Sequence, residues 1–251
     1  MATLFWLSDA AWAAIEPHLP HGKPGKPRVD DRRVISGILH VLKTGCRWRD
    51  VPSADGPPKT VYNRYHRWAQ RGIWQRVFER MAAAGPVPEE RSIDTRHVKA
   101  HRSAQTSKGG PWTQAIGTSR GGRMRKIHAL ADDQGRPVAF ALTPGNIADI
   151  SMAIPLLQGI AAPKRRLADK AYDADKLRNW LKAHRIDAVI PSNATRTTPY
   201  PLHRAAYRRR NVIERLFGKL KNWRRIATRY DRFARNYLAA LALVSIVIAW
   251  T

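Results

Sequence analysis

The chain has 251 residues, of which 43% are hydrophobic, enough to bury a core in one large domain or two smaller ones. Its 45 Lys and Arg residues against 19 Asp and Glu residues give a net charge of +26, which favours a polyanionic partner such as nucleic acid over a membrane. The single cysteine, Cys46, excludes an internal disulfide and a zinc site built on cysteines. The apolar run at 238–250 is too short to cross a bilayer, and the N-terminus lacks the features of a signal peptide. We therefore expect a soluble, cytoplasmic protein with no membrane partner.

The first 85 residues are predicted to be helical. Ser8 can cap a first helix. A second helix is predicted at 30–45, because acidic residues lie in its first turn and a glycine lies at its end. Two more helices are predicted at 59–72 and 73–84. Three arginines share one face of the third helix: Arg64, Arg67 and Arg71. Short helices with an arginine face are typical of a helix-turn-helix DNA-binding domain, and the alternative is a plain packing domain with a solvated arginine face.

A linker at 86–91 precedes a change of pattern, and the region 92–251 is predicted to form a mixed α/β sheet domain. The elements predicted in chain order are a strand at 91–102, a mobile basic loop at 107–125, a hairpin with strands at 127–131 and 137–143, a helix at 149–159, a strand ending at Asp169, a helix at 174–184, a strand at 188–190, and helices at 207–226 and 237–250.

Three acids occupy positions that point to metal chemistry. Asp94 lies inside the first strand, Asp169 ends the strand after the hairpin, and Glu214 is the only acid of a very basic helix. Adjacent strands can place the two aspartates side by side, and a helix packed across the sheet edge can add the glutamate. Because three converging carboxylates repel one another, we expect two Mg²⁺ ions to neutralise them, with Mn²⁺ as the substitute ion. Such a pair of metals suits cleavage of a phosphodiester.

The basic helix carries further candidate residues on the face of Glu214. Helical spacing places Tyr207, Arg210 and Lys221 on that face. The two cations are expected to hold DNA phosphates that flank the cleaved bond, and the tyrosine is expected to stack on the DNA or bond to it. A structural interpretation stands beside this one, since Glu214 at i+4 from Arg210 can be an ordinary ion-pair partner.

Other acids and histidines compete with this assignment. Asp173 and Asp175 lie close to Asp169, and their positions are typical of residues that cap the following helix. Three histidines near the strands are interpreted as structural or DNA-contacting residues: His97, His101 and His128.

At this point the sequence resembles a known family. Tyr207, Arg210, Glu214 and Lys221 match the Tyr-x2-Arg-x3-Glu-x6-Lys signature of bacterial insertion-sequence transposases of the DDE class, in the IS-five-type group. Further segments are similar to those of the group in the expected order: LSDAAWAAIEPHLP, TGCRWRDVP, SIDTRHVKAHR, KIHALADDQGRPVAFALTPGN and ADKAYDAD.

The resemblance implies a ribonuclease H-like catalytic domain at 92–251, preceded by a small all-helical DNA-binding domain at 1–85. It implies that Asp94, Asp169 and Glu214 are the metal-binding triad. The implied activity is cleavage of double-stranded DNA at the terminal inverted repeats of an insertion sequence, followed by transfer of the 3′-hydroxyl ends into target DNA. Because two ends must be handled together, it also implies a homodimer or a higher homo-oligomer on DNA.

Two other classes of function stay open at this point. The first is a non-catalytic DNA-binding regulator derived from a transposase, although binding alone does not require three converging acids. The second is a tyrosine recombinase that uses Tyr207 as its nucleophile, in which case Asp94 and Asp169 would have no task.

Overall fold

The computed structural model describes residues 5–20, 28–105, 114–115, 117–119 and 122–250. Its α-helices are α1 Asp9–Ile15, α2 Asp31–Thr44, α3 Pro58–Gln70, α4 Ile73–Ala83, α5 Ala153–Leu157, α6 Asp175–Ala183, α7 Arg204–Arg209, α8 Asn211–Lys221, α9 Arg224–Ala227 and α10 Ala234–Ala249. Its strands are β1 Glu90–Ala100, β2 Gly117–Ser119, β3 Gly122–Asp132, β4 Pro137–Pro144, β5 Arg165–Leu167, β6 Asp187–Val189 and β7 Thr228–Arg229. Helices and strands of the predicted mixed α/β class are therefore present.

The chain divides into two compact units by its internal contacts. The helical unit comprises Met1–Met81, Ala100–Lys108 and Lys219–Thr251, and the sheet unit comprises Ala82–Lys99 and Gly109–Gly218. The C-terminal helix α10 thus belongs with the N-terminal helices, whereas the predicted boundaries placed it in the catalytic domain. The assignment of DNA binding and catalysis to separate domains stays a prediction.

Helix ends in the helical unit follow local sequence rules. The Ser8 hydroxyl accepts a hydrogen bond from the Ala11 amide (3.1 Å) at the start of α1. Gly45 ends α2 with φ 76°, a left-handed conformation that favours glycine. Helix α3 packs against both α2 and α10, and α10 is buried along most of its length. Among the described residues, none of the helices combines the length and the apolar character needed to cross a membrane.

The predicted arginine face of α3 is only partly present. Arg67 and Arg71 are exposed, but Arg64 is largely buried, with an ion pair to Asp31 and its guanidinium 4.9 Å from the centre of the Trp68 ring. Arg64 and Trp68 are four residues apart and so lie on neighbouring positions of the helix, beside the buried stripe. Arg64 therefore does not share a solvated face with Arg67 and Arg71, as the alternative interpretation expected, and DNA contact by the three arginines stays a prediction.

The sheet unit is built around β1. Strand β3 pairs antiparallel with one edge of β1 and carries β2 and β4 on its own far edge. Strand β5 pairs parallel with the other edge of β1, and β6 pairs parallel with β5. One apolar cluster joins Ile93 and Leu130 of the sheet to α5 and α6, and a second joins Leu167 and Val189 to Ala206 of α7. The strands therefore have helices packed against both faces.

Part of the predicted mobile loop at 107–125 is strand. Residues 106–113, 116 and 120–121 lie outside the described residues, but β2 and the start of β3 occupy the rest of its second half. A side chain at Gly117 would place its Cβ 2.4 Å from the Asn146 Oδ1 atom and 2.8 Å from the Cβ atom of the rigid Pro144. Glycine is needed there for a close approach, and it was misread from the sequence as a sign of flexibility.

Two predicted helices are interrupted. The helix predicted at 149–159 is a 3₁₀ turn, Asp149–Met152, followed by the short helix α5. Pro155 falls in the first turn of α5, where its missing amide hydrogen breaks no bond. The helix predicted at 207–226 is divided into α7, α8 and α9, because the chain tightens around Arg210, whose amide bonds to the Tyr207 carbonyl three residues earlier.

Candidate active site

The pairing of β1 with β5 places two of the predicted acids at the same level of the sheet. The paired residues of the two strands are Glu90 with Arg165, Arg91 with Arg166 and Ser92 with Leu167, a constant offset of 75 residues. Asp94 and Asp169 share that offset, although β5 itself ends at Leu167. Because neighbouring parallel strands carry residues of one register side by side, the first two acids of the predicted triad are brought together.

Asp94 is a buried carboxylate, 7% exposed, in the middle of β1. Its Oδ1 atom accepts a hydrogen bond from the Thr95 amide (2.8 Å), and its Oδ2 atom lies 3.5 Å from the Arg210 Nη1 atom. Burial raises the pKa of the Asp94 carboxyl, and the Thr95 amide and the Arg210 guanidinium act in the opposite direction. A buried carboxylate of this kind is stabilised in its charged form by a nearby cation.

Asp169 is half-buried and begins the 3₁₀ turn Lys170–Tyr172. Its Oδ1 atom accepts a hydrogen bond from the Ala171 amide (2.9 Å), which fixes the direction of the carboxylate at the end of β5. Strand β5 was predicted to end at Asp169, and the acid instead lies just past the strand as the cap of the turn.

Glu214 is exposed and lies in the first turn of α8, where it forms an ion pair with Arg210. The Arg210 guanidinium in turn lies 5.8 Å from the centre of the Tyr207 ring. Burial lowers the pKa of the Arg210 guanidinium, but Asp94, Tyr207, Glu214 and Asp169 together hold it above its usual value. Arg210 is thus one cation within electrostatic reach of all three acids. The ion pair expected in the structural interpretation, between Glu214 and Arg210 four residues earlier, is present.

Arg96 is a charged neighbour of this site that the sequence analysis did not single out. Its Nε atom lies 3.8 Å from the Asp94 Oδ2 atom, and its guanidinium lies 5.8 Å from the centre of the Phe217 ring on α8. The sequence carried a signal for Arg96, because it lies two residues after Asp94 in a predicted strand and residues two apart in a strand project from the same face. Lys221, in contrast, ends α8 among the residues that belong to the helical unit.

A buried chain of hydrogen bonds supports the opposite face of β1. The Thr95 hydroxyl contacts the Tyr172 hydroxyl (2.7 Å) and the His128 Nδ1 atom (2.9 Å), and the His128 Nε2 atom contacts the Thr143 hydroxyl (2.8 Å). Burial lowers the pKa of His128 to about 4, so the ring is neutral at pH 7. The chain joins β1, β3, β4 and the turn after Asp169, and the interpretation of His128 as structural agrees with these contacts.

The competing acids near Asp169 have other partners. Asp173 is buried and pairs with Arg178 (2.7 Å) and Arg196 (3.1 Å), while the exposed Asp175 also pairs with Arg196 (2.8 Å). The start of α6 at Ala174 has no side-chain cap. The prediction that these two acids cap α6 was therefore wrong, since each carboxylate is engaged with arginines of the surrounding segments.

Within the described part of the chain, no group of three or more His, Cys, Asp or Glu side chains is arranged as it would be around a metal ion. Asp94 and Glu214 instead pair with Arg210, so their side chains would have to turn from that guanidinium to hold a cation in common with Asp169. A mixed sheet with one acid inside β1, a second just past the neighbouring parallel strand β5, a third on a following helix and helices on both faces is the arrangement expected of a ribonuclease H-like α/β fold.

Comparison with protein families agrees with that class. Residues 7–78 match the family model for transposases of the IS4/5 family, and residues 85–249 match the model described as "Transposase DDE domain". The second match covers more than half of the chain. The protein belongs to the DDE transposases, which confirms the family, the fold class and the transposase activity predicted from the sequence, and excludes the tyrosine recombinase alternative.

Two relatives illustrate the match. The chain is 35% identical over 124 residues to a Brucella ovis protein named as a transposase for insertion sequence element IS6501, covering 49% of this chain and 95% of that protein. It is 31% identical over 153 residues to a Burkholderia cepacia protein named as a transposase for IS402, covering 57% of this chain and 70% of that protein.

Solved structures of transposases are more distant. A synaptic complex of piggyBac transposase with hairpin DNA aligns at 10% identity and a TM-score of 0.41, covering 77% of this chain and 50% of that one. A paired-end complex of Mos1 transposase with a left transposon end aligns at 13% identity and a TM-score of 0.29, covering 83% and 80% of the two chains.

Proposed function

We propose that this transposase cleaves double-stranded DNA at the terminal inverted repeats of its insertion sequence and joins the resulting 3′-hydroxyl ends to target DNA, with Asp94, Asp169 and Glu214 as the catalytic carboxylates. The observation that carries the proposal is the position of Arg210, which pairs with Asp94 (3.5 Å) and with Glu214, while Asp169 follows β5 at the same offset from Asp94 as the β1–β5 pairs. This arrangement supports a common role of the three acids on one substrate.

The residues fit the divalent metal that DDE transposases generally use. All three side chains offer carboxylate oxygens, which Mg²⁺ prefers, and burial of Asp94 disfavours its charged form unless a cation is near. We propose two Mg²⁺ ions held by Asp94, Asp169 and Glu214, with Mn²⁺ as the substitute. When bound, such ions activate the attacking water or 3′-hydroxyl and stabilise the leaving oxygen of a phosphodiester.

The remaining residues of the site would bind and orient the DNA. Arg210 is proposed to exchange its carboxylate partners for a DNA phosphate, for which its planar guanidinium is well suited. Tyr207, beneath that guanidinium, would contact the adjoining nucleotide, and Lys221 would hold a second phosphate.

In the helical unit, Arg67 and Arg71 are exposed and are proposed to contact the inverted repeat. Arg64 is engaged with Asp31 and would contribute by holding α3 in place. A homodimer or a higher homo-oligomer on DNA is proposed because two ends must be cut and joined together.

The test is cleavage of end-labelled DNA that carries the flanking inverted repeat, with Mg²⁺ or with EDTA. Wild type is compared with Glu214→Gln, which keeps the size of the side chain and removes its charge. The matched control is Asp187→Asn, since Asp187 is an exposed acid on β6 of the same unit. We expect cutting by the wild type and the control only with Mg²⁺, and a loss of at least about 100-fold in Glu214→Gln with DNA binding retained.

Equal cutting by wild type and Glu214→Gln, or cutting in EDTA, would reduce Glu214 to an ion-pair residue. A second candidate function, a non-catalytic DNA-binding regulator, is favoured by the pairing of Arg210 with both Asp94 and Glu214, because that pairing neutralises the acids without metal. Wild-type protein that binds the repeat tightly but never cuts it would support this second function.

A further inference from the structure

A pocket of about 180 Å³ lies in the sheet unit between α5, α6 and β5, and none of the proposed catalytic residues lines it. Leu157, Ile160 and Ile186 contribute apolar walls. Trp180 and His184, whose rings stack with centres 3.9 Å apart, contribute an aromatic side. Arg166 of β5 is the charged residue of the lining. The pocket is therefore mostly apolar, with one strong hydrogen-bond donor.

Arg166 is buried in an unusual way for an arginine. Its side chain is 1% exposed, and its Nε and Nη1 atoms are sealed from solvent without a hydrogen-bond partner among the described residues. Burial, and to a smaller extent the neighbouring Arg91, lower the pKa of Arg166 to about 9. The guanidinium is still charged at pH 7, so the fold holds a buried cation whose Nε and Nη1 donors are unused.

A second buried arginine lies beside it. Arg91 is the partner of Arg166 in the register of β1 and β5, and it is 6% exposed. It donates to the Ala161 carbonyl, but its Nε atom is buried without a partner. In the described part of the chain neither arginine has a carboxylate within ion-pair distance. Two adjacent buried cations repel each other, and an anion in the pocket would relieve this repulsion.

We propose that this pocket binds a small carboxylate with an apolar or aromatic body, whose negative charge pairs with the Arg166 guanidinium. A carboxylate matches the forked donors of a guanidinium and carries one charge. The walls formed by Leu157, Ile160 and Ile186 suit an apolar body, and the ring of Trp180 offers a surface for a planar one. A phosphate dianion is less suited, because it requires more donors than this lining provides. The pocket would be a second ligand site of the transposase, separate from the acids of the triad.

The test is thermal unfolding of the full chain in increasing sodium benzoate or sodium acetate, with sodium chloride at equal ionic strength as reference and sodium phosphate as the competing class of anion. The variant is Arg166→Met, which removes the buried charge and keeps an apolar side chain of similar length. Lys176→Met, at an exposed position of α6, is the matched control for the loss of one positive charge. Ile160→Trp narrows the pocket while keeping Arg166.

We expect benzoate to raise the Tm of wild type and of Lys176→Met by about 3 °C over chloride at ten times its Kd, with a smaller rise in acetate. Arg166→Met and Ile160→Trp are expected to show no rise beyond that in chloride. Because removing an unneutralised buried cation does not weaken folding, Arg166→Met should itself melt no lower than wild type. The proposal is overturned if benzoate acts no differently from chloride on wild type, if it raises the Tm of Arg166→Met equally, or if phosphate alone stabilises the protein.

Discussion

At the scale of single residues, the site is governed by what burial does to charge. Asp94 and Arg210 are each penalised by burial and each supported by the other, which is why their side chains lie together in the sheet unit. Sequence spacing placed Arg210 beside Glu214 correctly, because that contact is local. It could not show that the same guanidinium reaches Asp94, since that contact depends on how the segment before α8 packs on β1.

His128 provides the pH dependence that belongs to this scale. Its pKa in the folded protein is about 4, below the value of about 6.5 expected in the unfolded chain. The unfolded chain therefore takes up the proton first as pH falls, and the stability contributed by neutral His128 is present above pH 6.5 and is lost between about pH 6.5 and pH 4.

We predict that wild type loses up to about 3 kcal/mol of unfolding free energy over this range through His128, and that His128→Gln removes that part of the pH dependence. Denaturant unfolding at several pH values between 7 and 4 measures it. The control is His184→Gln, which changes an exposed histidine outside the hydrogen-bonded chain of His128. If the unfolding free energy of His128→Gln depends on pH as steeply as that of wild type, groups other than His128 cause the loss of stability at low pH.

At the scale of elements, local rules read from the sequence succeeded where the determinants are local. The caps of α1 and α2 are formed by the residues that the sequence indicated. The local rules failed where contacts with distant segments determine the conformation. Helical periodicity continues through Arg210, so the division of the predicted helix at 207–226 could not be seen, and the glycine at Gly117 was misread because its reason is the approach of Asn146.

The segment between β6 and α7 depends on one buried acid. Asp173 pairs with Arg178 and Arg196 and accepts a hydrogen bond from the Asn193 amide (2.7 Å). Its hydrogen bonds hold the pKa of the carboxyl at about 2 against the opposing effect of burial. Removing it would leave the nearly buried Arg178 without its carboxylate.

We predict that Asp173→Ala lowers the unfolding free energy by about 3–5 kcal/mol, as expected for breaking a buried ion pair. Asp175→Ala removes an acid that is 66% exposed and pairs with the same Arg196, so it should cost less than about 1 kcal/mol. Urea unfolding compares the two variants, and limited proteolysis reports whether the segment around Arg196 is loosened. An equal loss of unfolding free energy in Asp173→Ala and Asp175→Ala would mean that the buried Asp173 does not organise this segment.

At the scale of the whole molecule, the charge of +26 is the feature that composition shows most directly. Composition cannot show which cations remain available to DNA. Arg64 is occupied by Asp31 and Trp68, whereas Arg67 is exposed on the same helix. The division of the chain was also hidden from the sequence, because an apolar helix such as α10 can join the core of either unit.

We predict that Arg67→Met lowers the slope of log K for DNA binding against log salt by about 0.9, the value for one lost phosphate contact, and leaves the Tm unchanged. Arg64→Met should instead lower stability by about 1–3 kcal/mol and leave the slope near that of wild type. Binding of duplex DNA across a salt series, with thermal unfolding in parallel, measures both. A smaller slope of log K against log salt in Arg64→Met than in Arg67→Met would mean that Arg64, and not Arg67, contacts a DNA phosphate.

The pairing of β5 with β1 has a consequence for how this enzyme can fail. Asp169 stands level with Asp94 only because three pairs, from Glu90 with Arg165 to Ser92 with Leu167, set the register. A slip of one residue would bring Ala168 or Lys170 to that level and would turn every side chain of β5 to the opposite face of the sheet. Such a slip would take Leu167 out of its apolar cluster and, if Asp169 acts as we propose, would remove an acid from the site, so stability and activity depend on the same three backbone pairs.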